Sequence, residues 1–311
     1  MDKKPVLILF IFILMAIARP GVTQEEHPGV WMDYVAPTYT ILPNLTYATA
    51  SNMELKLDLY LPLERSKPVP VVVYFHGGGW VEGMKERNTL YLLPWLSMGW
   101  AAVNVEYRLA RHAPAPAAVE DSRCALRWLV LHAGEYSLDP NRIVLTGHSA
   151  GGHLALITAL LPEGSPFDRQ CPSAESHRWV DGIEPPVKAA AVINWYGISD
   201  VNDVLEGPNA KHYAIEWFGS LPGRAELARQ LSPLTWVAPG APAVFTIHGD
   251  ADRLVPYAQS VQLHAALDKA GVSNQLVTIH GGGHGGFPRQ EIAHCYDVIR
   301  KFLRKNGVIK E

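Results

Sequence analysis

The sequence predicts an α/β fold, with a mostly parallel central sheet covered by helices on both faces and a small cap insertion. Three observations predict it. Short runs are apolar at nearly every position and rich in Val, Ile and Ala, helical periodicity falls between most of them, and glycine-rich turns follow several of them. A run with no polar alternation marks a strand buried on both faces. Strands that alternate with helices need crossover connections, which give a parallel sheet.

The elements follow in order. Residues 55–61, Leu-Lys-Leu-Asp-Leu-Tyr-Leu, alternate with period two, as a half-buried strand does. Residues 38–47 are a weaker partner, and together they form an antiparallel entry hairpin at a sheet edge. Buried strands are expected at 69–75, 101–105, 143–145, 188–194, 243–247 and 276–279. A helix at 116–135 places Val119, Cys124, Leu126 and Leu129 on one face. Further helices are expected at 150–160, 261–270 and 292–302. Two stretches break the alternation. Residues 162–186 are rich in Pro, Ser and charge. Residues 197–240 carry helical patches at 213–218 and 224–231, read here as the cap. Insertions after parallel strands fall at the strands' carboxyl ends, where sites lie in open α/β sheets.

The chain has 311 residues, 48% hydrophobic and 18% charged, with a formal net charge of -3. That is the composition of an ordinary globular protein. No long basic block gives an electrostatic footprint for nucleic acid or an anionic membrane. At the N-terminus, Lys3 and Lys4 precede an apolar run from Val6 to Ala18, too short to span a bilayer. Ala16-Ile17-Ala18 supplies a small-x-small pattern, so residues 1–18 read as a secretory signal cleaved near Ala18, with a retained membrane anchor as the alternative. Residues 19–37 read as an irregular leader and 38–311 as one catalytic domain. The expected location is secreted or periplasmic, with no stable membrane association after cleavage.

Three cysteines, Cys124, Cys171 and Cys295, leave an odd thiol in an exported chain. The expected pair is Cys171 with Cys295, leaving Cys124 as a small core residue. No cysteine or histidine spacing points to a metal. Asn44-Leu45-Thr46 matches a glycosylation sequon.

Gly147-His148-Ser149-Ala150-Gly151 matches G-x-S-x-G, between an expected strand and an expected helix. A serine on such a turn is held in a strained conformation with its hydroxyl exposed. The hydroxyl is a weak nucleophile until a base takes its proton, and the base needs an orienting acid. In sheets of this layout the chain order is serine, acid, histidine. The loop His248-Gly249-Asp250-Ala251-Asp252 offers two acids, Asp250 and Asp252. His284 lies in the glycine run 281–286, free to reach the serine, whereas His280 sits at the end of a strand. His76-Gly77-Gly78-Gly79-Trp80 follows the buried strand at 69–75. Its glycines let backbone N–H groups approach a developing oxyanion. Gly78, Gly79 and the Ala150 N–H are the expected donors. Trp80, His148, Trp195, Tyr196, Trp217 and Phe287 are candidates for an aromatic-lined pocket.

These motifs, with Tyr107-Arg108-Leu109 and Asp139-Pro140-Asn141-Arg142-Ile143, resemble the α/β-hydrolase superfamily. More narrowly, residues 50–305 resemble the H-G-G-G serine esterases related to hormone-sensitive lipase. Within those they look most like a bacterial group labelled feruloyl-esterase-like or carbohydrate-esterase-like. The resemblance implies Asp252 as the acid, three residues after the glycine of the His-Gly turn and ahead of Val255-Pro256. It implies oxyanion donors at Gly78 and Gly79, a sequon left idle in a bacterial protein, and no cofactor. His148 stands where hormone-sensitive-lipase relatives usually carry an acidic residue, and their large N-terminal cap is missing. Both departures argue against long-chain lipids. The expected activity is hydrolysis of short-chain or aromatic carboxylic esters, with acetyl or feruloyl esters of plant polysaccharide as substrates. An amide hydrolase of the same fold (an aryl formamidase or a peptidase) is the alternative within enzymes. A non-catalytic binding protein on a hydrolase scaffold is the alternative outside them.

Overall fold

A computed structural model describes residues 35–169, 171 and 187–310. The chain divides between Pro37 and Thr38, and the second unit, Thr38–Glu311, holds the sheet and its helices. Of the first unit only residues 35–37 are described. The expected signal and nearly all of the expected leader therefore lie outside the described residues, as does most of the excursion at 162–186.

The strands in chain order are β1 (Tyr39–Ala50), β2 (Met53–Pro62), β3 (Val69–Phe75), β4 (Ala101–Val105), β5 (Leu138–His148), β6 (Ala191–Trp195), β7 (Ala243–Gly249) and β8 (Asn274–Ile279). They form one sheet in the order β1-β2-β4-β3-β5-β6-β7-β8. β1 and β2 make the antiparallel entry hairpin, and β2 pairs antiparallel with β4. Every later pairing is parallel. Burial explains the sequence pattern. β4, β6 and β7 are buried at every position, so both faces are covered, while β1 and β8 at the edges stay partly open.

The helices are α1 (Leu93–Leu96), α2 (Ala117–His132), α3 (Ala150–Leu160), α4 (Val201–Leu205), α5 (His212–Phe218), α6 (Arg224–Gln230), α7 (Tyr257–Lys269) and α8 (Arg289–Lys305). A 3₁₀ stretch, Lys85–Leu92, leads into α1. The helices α4, α5 and α6 make up the insertion after β6. The expected elements all form, and differences fall at their ends. β5 starts five residues before its apolar run, because Leu138 pairs with Val69 across the sheet. α7 starts four residues early, and its polar first turn is buried by specific bonds. Gln259 Oε1 accepts from the Ser199 N–H at 2.9 Å, and its amide donates to Asp203 Oδ2 at 2.8 Å. Apolar periodicity does not register a turn held in that way.

The cysteine pairing differs from expectation. Cys124 is bonded to Cys171, and Cys295 is a free, buried thiol. Cys124 is a buried core residue, as expected, but its sulfur also reaches Cys171 in the loop after α3. Next to it Arg123 forks onto Asp168, with two bonds of 2.7 Å, so a bidentate ion pair and a disulfide tie the same loop to α2. Cys295 on α8 points into the core, where burial pushes its thiol up to about 11. The 47-residue separation of the true pair carried no signal that helical periodicity reads.

Candidate active site

Ser149 sits between β5 and α3 with φ 57° and ψ -121°, a region that L side chains rarely adopt. The strain is imposed by close packing. A Cβ at Gly147 would lie 2.5 Å from the Phe75 carbonyl, and one at Gly151 would lie 2.0 Å from it. Only glycines let α3 turn back this tightly against β3 and β5. The Ser149 N–H donates to the Trp195 carbonyl at 2.9 Å, which anchors the elbow to β6.

Asp252 follows β7 and His284 follows β8, both at carboxyl ends, like Ser149 after β5. His284 Nδ1 lies 2.7 Å from Asp252 Oδ2. The carboxylate is fully buried and accepts three further bonds. The Leu254 and Val255 N–H groups reach Oδ1 at 2.8 and 3.0 Å, and His248 Nε2 reaches Oδ2 at 3.1 Å. Burial alone would raise this carboxyl, but the bonds from His248, His284 and the Val255 amide outweigh it and hold it well below the usual range. With Nδ1 donating to Asp252, the other ring nitrogen of His284 is free for a substrate or for Ser149. The competing pair is separate. His280 Nδ1 lies 2.9 Å from Asp250 Oδ2, but the His280 side chain is 88% exposed, and neither residue lines the cleft.

The glycine loop after β3 turns through three consecutive left-handed residues, Gly78 (φ 117°), Gly79 (φ 58°) and Trp80 (φ 62°). A Cβ on Gly78 would lie 2.1 Å from the Glu82 carbonyl. The N–H groups of Gly78 and Gly79 have no acceptor among the described residues. Ala150 is the first residue of α3, so its N–H is one of the orphan donors of a helix start. His76 holds the base of the loop. Its ring stacks on Tyr107 at 4.2 Å, its Nδ1 donates to the Gly77 carbonyl, and the Tyr107 hydroxyl donates to the His76 carbonyl. Burial pushes the imidazole down to about 4, so it is neutral.

Ser149, His284, Gly77, Gly78 and Gly79 share one cleft of about 500 Å³. Sequence reasoning missed much of its wall. Arg87, Asn88 and Tyr91 come from the 3₁₀ stretch, and Leu254 comes from the acid loop. His212 and Tyr213 come from α5, the one helix of the cap that reaches the cleft. The Tyr213 hydroxyl donates to the Leu254 carbonyl at 3.1 Å, joining the cap to the acid loop. A second pocket of about 300 Å³ opens beside it, lined by Tyr91, His148, Trp195, Tyr196, Phe287 and Tyr296 among others. His148, Tyr91 and Tyr196 border both cavities. Four of the six aromatic candidates therefore line a cavity. Trp80 and Trp217 do not. They stack on each other at 4.1 Å in the core, fully buried, with Trp80 Nε1 donating to His153. The Trp80 indole is buried against Trp217 and does not line the cleft. His148 is held neutral by burial, at about 3, and lies 3.1 Å from the Tyr74 hydroxyl.

Among the described residues, no group of three or more His, Cys, Asp or Glu side chains is placed to hold a metal. No helix among them is long and apolar enough to cross a membrane.

The sheet order, the strained serine elbow and the acid–histidine loops after β7 and β8 are those of the α/β-hydrolase fold. The chain belongs to the BD-FAE family, whose model matches residues 57–267. Esterase LipQ of Mycobacterium tuberculosis is 28% identical over 268 residues, covering 83% of this chain and 59% of LipQ. Among solved structures, a truncated carbohydrate esterase from gut microbiota is 28% identical with a TM-score of 0.68, covering 85% of this chain and 97% of that one. A thermophilic esterase of the planctomycete Thermogutta terrifontis, bound to propionate, is 26% identical with a TM-score of 0.70, covering 88% and 97%. The chain spans roughly half the length of the curated relatives it matches.

Proposed function

We propose that the chain is a secreted serine carboxylesterase in which Ser149, His284 and Asp252 act as a triad. The 2.7 Å bond from His284 to the buried Asp252, in a cleft shared with the strained Ser149, carries this reading. Asp252 keeps Nδ1 of His284 protonated, so Nε2 accepts the Ser149 proton as Oγ attacks the ester carbonyl. The N–H groups of Gly78, Gly79 and Ala150 bind the oxyanion of the tetrahedral intermediate. His284 then protonates the leaving alcohol. Water, activated by the same histidine, releases the acid from the acyl-serine and restores the enzyme. No metal or organic group is needed for these steps.

Two pockets of about 500 and 300 Å³ have room for a short or aromatic acyl group and part of an alcohol. Trp195, Tyr196 and Phe287 offer ring faces and edges to an aryl acid. The LipQ, gut carbohydrate-esterase and planctomycete relatives agree with ester chemistry. With export through residues 1–18, acetyl or feruloyl esters of plant polysaccharide are the proposed natural substrates.

The test is hydrolysis of p-nitrophenyl esters from acetate to palmitate by the mature chain, with Ser149→Ala as the blank. Rates that peak at short chains and vanish in the variant support the proposal. An inactive wild type, or a variant as fast as wild type, rejects it and moves the weight to an amidase or a binding protein. Export is tested separately: an N-terminus that begins near residue 19 in the culture medium or periplasm supports it, and an intact Met1 in the cell rejects it.

A further inference from the structure

The acid of the proposed triad carries a second imidazole. His248, the penultimate residue of β7, is fully buried and lies four positions before Asp252. Its Nε2 is 3.1 Å from Asp252 Oδ2 and 3.1 Å from the Val255 carbonyl. Both partners only accept, so Nε2 carries the proton and donates to both. Its Nδ1 is 2.7 Å from Ser260 Oγ, in the first turn of α7, and a bare Nδ1 accepts that hydroxyl proton. Ser260, His248, Asp252 and His284 thus form one directed chain, in which each imidazole has a single tautomer. The same Oδ2 receives both histidines.

We infer that His248 is a positioning residue for the triad acid: its Nε2–H fixes Asp252 Oδ2 against His284 and limits the basicity of that carboxylate. The inference rests on the proposed triad. A carboxylate with fewer donors is a stronger base and a stronger partner for an imidazolium. Removing the His248 bond therefore favours the protonated, inactive form of His284. It also leaves one lone pair of a buried carboxylate unsatisfied, which loosens the orientation of Asp252.

The other groups around this chain are neutral or uninvolved in the bonds. Tyr196 and Tyr213 both sense the Asp252 charge and are pushed up, chiefly by burial. Tyr196 also faces the rings of His284 and His248, and Tyr257 meets His248 edge-on at 5.6 Å. His148 faces His284 and is neutral through burial. None of these replaces the missing donor on Oδ2.

The experiment compares kcat/KM against pH, from 5 to 9 on p-nitrophenyl acetate, for wild type, His248→Leu, His248→Gln, Ser260→Ala and Ser149→Ala. Gln retains a side-chain donor near the Nε2 position, and Leu has none. We expect His248→Leu to lose about tenfold to a hundredfold in kcat with KM nearly unchanged. Its acid limb should move to higher pH by about half a unit or more. His248→Gln should recover most of both effects. Ser260→Ala, a smaller change that frees the His248 tautomer, should shift the limb in the same direction and serves if His248→Leu does not fold. The inference is overturned if the limbs of His248→Leu and Ser260→Ala coincide with wild type, or if Gln is no better than Leu. Activity persisting in Ser149→Ala is a different failure, since it removes the triad itself.

Discussion

Replacing Asp252 by Asn should invert the tautomer of His284. The two carboxylate oxygens have different partners. Oδ1 accepts two backbone N–H groups, from Leu254 at 2.8 Å and Val255 at 3.0 Å. An amide oxygen satisfies those donors and an NH₂ group does not, so the amide oxygen of Asn takes that position. The NH₂ group then stands where Oδ2 was, facing Nδ1 of His284 and Nε2 of His248, which lay 2.7 and 3.1 Å from that oxygen. Both imidazoles must move their proton to the opposite nitrogen or give up the contact. For His284 this puts the proton on Nε2, where it no longer accepts from Ser149. The same change in a serine protease lowers kcat by about 10⁴, equivalent to about 5.5 kcal/mol at the transition state. We expect a loss of similar order, on the order of 10³–10⁴ in kcat on p-nitrophenyl acetate with little change in KM. Circular dichroism and thermal melting are needed beside the kinetics, to show that the variant is folded at the assay temperature. A folded variant that loses less than about tenfold would refute the account of how the acid works.

Two further predictions concern stability. Denatured but unreduced protein should titrate one thiol, Cys295, and reduced protein three; a chain with Cys171 and Cys295 paired would leave Cys124 labelled instead. Closing a 47-residue loop contributes up to about 4 kcal/mol in the loop-entropy picture, so Cys171→Ser should lower Tm by several degrees, and an unchanged Tm would refute the stabilising role of this link. Burial holds His76, His148 and His153 down at about 4, 3 and 4. Their folded values lie below the unfolded value of about 6.5, so the stability they contribute is present above that value and is lost as pH falls from it toward the folded ones. Near pH 5 the unfolded chain then binds up to about three more protons at these sites, and Tm should fall steadily from pH 7 to pH 5. A flat Tm over that range would contradict the neutral burial of these rings.

Much of this architecture is legible in the sequence because its determinants are local. A strand such as 101–105 is apolar throughout because it is covered on both sides, and the pattern and the burial are one fact. The Ser149 elbow is legible for the same reason: the glycines that permit it are two residues away on either side. What the sequence does not display is contact between distant residues. Trp80 follows the glycine loop and looks like a pocket residue, but its indole turns inward onto Trp217, more than a hundred positions along the chain. Tyr91 and Asn88 line the cleft from a 3₁₀ stretch whose apolar and polar residues follow neither helical nor strand periodicity. The Cys124–Cys171 bond depends on where the loop after α3 folds back, which no spacing encodes. His248 carried one faint signal, its place four residues before the acid. Its meaning depends on Ser260, which lies in a helix turn that sequence periodicity did not reach.

Covalent labelling decides whether Ser149 is the nucleophile. The mature chain would be treated with paraoxon, digested and read by mass spectrometry, with residual esterase activity followed in parallel. We expect one diethylphosphoryl group, on the peptide holding Ser149, with activity falling in step with occupancy and no label in Ser149→Ala. Label on another residue, or full activity in a labelled protein, would contradict it.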